Sequence, residues 1–225
     1  YLLASSPAAI GQHLALVADL ERFGGRPVFR HDPVEGFERL TIVTRDRPGI
    51  LEAVAGVLAM HRVNVLGGNA YTRDDGVVID VLHVRVEGTM AVDGARWGRI
   101  EEALPRALTG DYPLAEELER SLAGQPFSTP GPRNVTPDVQ VDNVTSSEYS
   151  VIEVHAADRP GLLYAVAHVL RELALDVHLA KIDTLGNEVF DTFYVKRRNG
   201  HRLESADEIE RVRMRVGEAM AVPRG

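Results

Sequence analysis

Residues 46–58 read Asp-Arg-Pro-Gly-Ile-Leu-Glu-Ala-Val-Ala-Gly-Val-Leu, and residues 158–170 read Asp-Arg-Pro-Gly-Leu-Leu-Tyr-Ala-Val-Ala-His-Val-Leu, so only three of thirteen positions differ. The match continues downstream. Arg62-Val63-Asn64-Val65 aligns with Ala174-Leu175-Asp176-Val177, and Asp80-Val81-Leu82-His83-Val84 aligns with Asp191-Thr192-Phe193-Tyr194-Val195. A chain with this duplication has to build one small unit twice.

Each copy follows the same order. A short alternating stretch (40–44; 151–156) predicts a half-buried strand, with Leu40 and Ile42 matching Ile152 and Val154. Pro48 and Pro160 suit a first helical position, which places helix starts there. The helical apolar positions Ile50, Val54, Val57, Leu58 and Leu162, Val166, Val169, Leu170 fall on one face at a 3.6-residue period. Strands follow over 63–72 and 77–86, and over 175–184 and 189–196. They are joined by Asp75-Gly76 and Gly186-Asn187, residues that tolerate the positive φ of tight hairpins. A second helix closes each copy, at 95–109 with an extra helix near 114–122, and at 206–221, opened by Ser205 with Glu208 three residues on. The expected fold is α+β: two ferredoxin-like βαββαβ modules, each an antiparallel sheet with two helices on one face.

The fourth strand of the first module is expected from the alternation of Val139 and Val141 toward Val144. No such stretch follows the last helix, so residues 27–31 are the candidate for the open edge of the second sheet. The resulting domains are 1–25 as the tail of an upstream helical domain, 26–147 as the first module with a long Pro/Gly loop at about 124–137, and 148–225 as the second. In the tail, a helix is expected over 12–23, with Leu14, Val17 and Leu20 on one face. Modules of this size gain from packing together, and two sheets set edge to edge would merge. A homodimer is a further way to complete an edge.

A net charge of -8 and a pI near 5.5 leave no basic stripe for nucleic acid. No apolar run is long enough to span a bilayer, so no membrane role is expected. With no cysteine there is neither disulfide nor thiolate chemistry, and a cytoplasmic location is expected.

Chemistry is best sought at the Asp-Arg-Pro-Gly loops. There the first helical N–H groups lack intrahelical partners, the helix dipole favours an anion, and Gly49 or Gly161 lets a ligand approach the backbone. Asp46 or Asp158 adds a carboxylate that can accept from an ammonium. Carboxylate to amides and ammonium to carboxylate is how an α-amino acid is held. The same Asp could equally cap the helix and the same Gly simply turn the chain. Asn64 and Asp176 start the next strands, where they could read a polar ligand side chain. Asp80 and Asp191 recur on the strand after each hairpin. They orient backbone groups, the plainer reading, or line a ligand groove.

Asp-Arg-Pro-Gly, then Ile/Leu-Leu-x-x-Val-Ala, with Asn-Val at the next strand, resembles the ACT family of small regulatory modules that bind amino acids, and the match covers both copies. More narrowly, the tandem pair, the phrase from Tyr149 to Tyr164 and Asp191-Thr192-Phe193-Tyr194-Val195 resemble the C-terminal region of the PII-modifying nucleotidyltransferase family. The resemblance implies glutamine sensing, the PII signalling protein as partner, catalytic domains upstream and control of uridylylation and deuridylylation. It leaves adenylyl transfer open.

Carried over by position, the ligand residues would be Asp46, Arg47, Pro48, Gly49, Ile50 and Asn64 in the first copy, and Asp158, Arg159, Pro160, Gly161, Leu162 and Asp176 in the second. Asp176 departs from the family's Asn. A carboxylate there repels a ligand carboxylate and cannot donate to an amide oxygen, so the first site is expected to be the better binder.

No Gly-Ser loop followed by metal-binding carboxylates and no clustered His and Asp set is present, so no catalytic residue, metal or cofactor is expected in this stretch. Mg2+ would belong to the catalytic domain. His31-Asp32 is an isolated pair, His83, His155 and His178 read as partly exposed strand residues, and Asp74-Asp75 as turn chemistry. Three functions remain: an amino-acid sensor, which is favoured; a dimerisation or PII-docking module without ligand; and a small enzyme.

Overall fold

A computed structural model describes residues 7–86, 92–123 and 135–221. Helix α1 (Pro7–Arg22) precedes β1 (Val28–Val34), β2 (Phe37–Arg45), α2 (Ile50–Met60), β3 (Val63–Thr72), β4 (Val77–Val86), α3 (Gly94–Thr109) and α4 (Leu114–Ala123). The second half runs β5 (Asp138–Asp142), β6 (Ser150–Ala157), α5 (Leu162–Glu172), β7 (Leu175–Leu185), β8 (Glu188–Arg197) and α6 (Ala206–Met220). Residues 1–6 and most of the Pro/Gly stretch, at 124–134, lie outside the described residues.

All eight strands join one antiparallel sheet in the order β1-β2-β4-β3-β7-β8-β6-β5. The two α+β modules are therefore its two halves, stitched by β3 to β7 from Gly67 opposite Asp183 to Tyr71 opposite Leu179. The expected merging of sheets takes this form. Helices α2, α3, α5 and α6 cover one face, and the apolar periodicity explains why: Ile50, Val54, Val57 and Leu58, with Leu162, Val166, Val169 and Leu170, are all buried in one core with Leu40, Ile42, Ile152 and Val154. Each such aliphatic side chain contributes roughly 1.5–3 kcal/mol on burial. The Ser205–Glu208 capping box is formed at the start of α6.

The edge strands are distributed differently from the sequence expectation. β1, at 28–34, pairs with β2 of the first module, and β5, at 138–142, pairs with β6 of the second. Each module thus carries its edge strand at its front rather than its end, a ferredoxin-like sheet with the last strand moved to the beginning. Residues 27–31 do not complete the second sheet, and 139–141 do not complete the first. The physical reason is reach. A tight turn at Gly36, with φ 85, folds β1 straight back on β2, and a short connection at 143–149 does the same for β5 and β6.

The helices α2 and α5 start at Ile50 and Leu162, two residues after the prolines. Gly49 and Gly161 occupy the N-cap in the left-handed region, φ 88 and 77, and this sharp turn keeps Pro48 and Pro160 outside the helix. Helix α1 lies on the opposite face of the first half-sheet, where Leu20 packs with Val43, Val77 and Ile79. Leu14, expected on that face, is exposed, and His13 is buried instead. Among the described residues no helix is long and apolar enough to cross a membrane.

Candidate ligand cavities at the module seam

Equivalent residues of the two copies are 112 positions apart through the first hairpin strand, as in Asp46 and Asp158 or Asn64 and Asp176. In the β3–β7 register Asn69 lies opposite Lys181, its own equivalent. A pseudo-twofold axis therefore passes between them. Because β3 and β7 run antiparallel across this axis, the start of each strand is carried to the other module's Asp-Arg-Pro-Gly loop. Asn64 does not face the 46–50 loop; its Nδ2 donates to Asp158 Oδ2 at 3.0 Å. Asp176 in turn lines the cavity formed by Asp46, Arg47, Pro48, Gly49 and Ile50. Each site is thus shared between modules, and the expected pairing of Asn64 with the first loop and Asp176 with the second is exchanged.

The two cavities differ. The first has a volume of about 130 Å3, several waters' worth of space. The second measures about 30 Å3 and is lined by Asp158, Arg159, Gly161 and Leu162 with Asn64; Pro160 does not reach it. Equivalent positions account for the contrast: Ala70, Glu52 and Arg171 around the first cavity correspond to Ile182, Tyr164 and Ala59 around the second. The larger Ile182 and Tyr164 fill space that the first cavity keeps open.

Neither helix N-terminus has a side-chain cap, so Asp46 and Asp158 do not serve as caps. Asp46 accepts from the Arg47 N–H. Its carboxyl is raised by partial burial, opposed by His178 and reinforced by Asp176. Asp158 is raised by burial against the hydrogen bonds from Asn64 and the Arg159 N–H. Each arginine reaches the end of its module's second helix. Arg159 Nη2 donates to Ala219 O at 2.6 Å near the end of α6, and the Arg47 guanidinium lies against Gly110 after α3. A small opening and two uncapped helix ends suit the carboxylate of a small zwitterion.

Several residues at the seam were not singled out from the sequence. Glu52 accepts from His168 Nδ1 at 2.7 Å and from Arg171 Nε, bridging α2 to α5. Gly56 lets Tyr164 and Leu114 approach so closely that a Cβ would sit 2.9 and 2.7 Å from them. Two of the three differences in the repeat, Glu52/Tyr164 and Gly56/His168, are therefore where the helices of the two copies touch. Divergence within the repeat was the signal that could have found the seam. Asp80 lines the first cavity and Asp191 the second. Asp191 accepts from the Asp183 N–H at 3.3 Å, in keeping with the backbone-orienting reading. Asp80 departs from that reading, because neither of its oxygens has a partner among the described residues.

His31 stacks on Trp97 and meets Glu38, which also accepts from Trp97 Nε1 and the Val92 N–H. Its role is to hold α3 on the sheet. Among the described residues no group of three or more His, Asp or Glu is arranged to hold a metal ion.

No family model matches the chain. It is 34% identical over 198 residues, 86% of its length, to the bifunctional uridylyltransferase/uridylyl-removing enzyme of Rhodospirillum rubrum. It is 29% identical over 99% of its length to the enzyme of the same name from Azospirillum brasilense. The chain is homologous to part of these bifunctional enzymes. It spans about a fifth of the length of the curated relatives it matches, 21% and 24% in these two. Among solved structures, aspartate kinase from Synechocystis aligns over 73% of this chain and 25% of its own, with 19% identity and a TM-score of 0.40.

Proposed function

We propose that this chain is the glutamine-sensing regulatory region of a PII-modifying nucleotidyltransferase, controlling uridylylation and deuridylylation, or adenylylation, of PII in nitrogen regulation. The observation that carries the reading is the first cavity. It has room for a small molecule, and it opens where the uncapped start of α2 faces Asp176 of the other module. A ligand there touches both halves at once, so its binding energy can bias how they sit against each other. A coupling of about 1–3 kcal/mol is enough for a typical allosteric effect. Homology to bifunctional uridylyltransferase/uridylyl-removing enzymes supports uridylyl transfer and removal as the activities under control; PII as the partner, and Mg2+ at the catalytic domain, belong to the same proposal.

The exchange of Asn64 and Asp176 removes the expected reason for ranking the first site above the second, and the ranking rests instead on the larger volume of the first cavity. The amide that suits a ligand side chain serves the second loop, where it is engaged by Asp158, while the open cavity holds the carboxylate. A second reading, a PII-docking module without ligand, draws on the outer face of the second half-sheet, where Phe190 is exposed beside His155. The test is isothermal titration calorimetry with L-glutamine, then glutamate, asparagine and a branched-chain amino acid, up to several millimolar. Selective saturation by glutamine is expected, and a dissociation constant near 1 mM corresponds to about -4 kcal/mol. Silence with every amino acid, together with binding to PII, would replace the sensor by the docking module.

A further inference from the structure

The residue least explained by packing is Asp80. It sits on the inward face of β4 between Val78 and Leu82, has 0% exposure, and lines the first cavity. Neither carboxyl oxygen finds a hydrogen bond among the described residues. Buried polar groups are nearly always partnered, so an unpartnered carboxyl facing a cavity marks the place where a donor belongs. Its equivalent, Asp191, already accepts from a backbone N–H. We propose that Asp80 receives the ligand's ammonium group in the first cavity, which therefore takes molecules with a free primary ammonium and rejects their des-amino counterparts. This rests on the reading of that cavity as an amino-acid site.

The surrounding charges favour a cation. Asp46 comes from the β2–α2 loop and Asp176 from the start of β7, and both line the same space. Of the positive groups at the wall, Arg171 of α5 is held by Glu52 of α2, which lines the same cavity, and the Arg47 guanidinium lies near Gly110. His178 of β7 and Tyr71 of β3 are the remaining titratable groups at the wall. An ammonium offers three N–H groups, enough for Asp80 and for Asp46 at the mouth.

Binding should also move a proton. Burial, reinforced by Asp46, pushes the Asp80 carboxyl up to about 7. An ammonium docked against it favours the ionised form, so the carboxylic acid gives its proton to solvent as the carboxylate–ammonium pair forms. Near neutral pH the ligand therefore enters with release of up to one proton, and its affinity falls as pH drops.

The experiment is calorimetry of this chain at pH 7 with L-glutamine, with 4-carbamoylbutanoate, which is glutamine without its amino group, and with methylammonium. Each is run in phosphate and in Tris to count protons, on wild type and on Asp80→Asn, with thermal melts to check that the variant is folded. The expected result is binding of glutamine but not of the des-amino compound, proton release in wild type, and a roughly 10- to 100-fold loss in Asp80→Asn, the factor for one hydrogen bond to a charged group. The comparison of the two ligands in wild type needs no variant. Des-amino binding as tight as glutamine, or undiminished glutamine affinity in Asp80→Asn, overturns this proposal and leaves the sensor reading standing. Asp80-dependent binding of methylammonium without glutamine binding does the reverse. Silence with all three compounds removes both.

Discussion

The two cavities are built from the same thirteen-residue phrase, yet one is open and acidic and the other is closed by a hydrogen bond. Around the first, Asp46, Asp80 and Asp176 converge, and Ala70 leaves room. Around the second, Ile182 and Tyr164 fill the space, and Asn64 satisfies Asp158. Duplication supplied two copies of a helix start. A few substitutions then left them unequal, one with open volume beside its helix start and one with its loop hydrogen-bonded across the seam.

The largest effect expected from breaking this contrast concerns the buried carboxyls. Asp80 and Asp191 are each pushed up to about 7 from an ordinary 3.8, foremost by burial. A carboxyl raised on folding contributes stability that is fully present below about 3.8 and is lost as pH rises through about 7. Between pH 4 and pH 8, Asp80→Asn and Asp191→Asn should each spare the protein a loss of up to about 4 kcal/mol in urea unfolding. Parallel pH curves for the wild type and both variants would show that these carboxyls titrate in the fold as they do in the unfolded chain.

Next in size is Gly49→Val. Its Cβ would lie 2.9 Å from Arg171 Cδ at a φ of 88, whereas at Gly161 the nearest atom, Ala59 Cβ, is 4.0 Å away. Gly49→Val should cost about 3 kcal/mol and remove binding at the first cavity, and Gly161→Val about 1–2 kcal/mol through backbone strain alone. Denaturant melts and calorimetry on both variants read this, and equal losses in binding would end the distinction between the cavities. Asn64→Ala strips Asp158 of a partner and should cost about 1.5–2 kcal/mol while leaving the first cavity's affinity unchanged. A fall in that affinity would mean that the two cavities are coupled. The smallest effect, about 1 kcal/mol, is expected of Glu52→Gln, since His168 and Arg171, its partners across the seam, are both partly exposed. Urea unfolding measures it.

Much of the fold could be read in the chain because its signals are local. The helix periodicity, the Asp75-Gly76 and Gly186-Asn187 turns and the Ser205–Glu208 box each act within a few residues, and each appears where expected. The edge strands were harder. Residues 138–142 alternate, whereas 28–34 do not, and only the short connections that follow them decide that each pairs forward. The site was half legible for a related reason. The loops at 46–50 and 158–162 do line the cavities, with the exception of Pro160. The rest of each wall comes from the other module across an antiparallel junction that no single copy contains. Asp80 looked like a scaffold residue because its value as a cavity group depends on what it fails to touch.

The forward pairing of β1 with β2 and of β5 with β6 has a consequence for how the molecule comes into being. Each half-sheet is complete within one unbroken stretch of sequence, so as the polypeptide leaves the ribosome the first half can close before the second has been translated. What it lacks at that moment is a neighbour for β3, whose outer backbone groups wait for β7 more than a hundred residues later. The cavity wall that depends on Asp176 is therefore absent from the nascent first half, and it comes into existence only when the two halves dock.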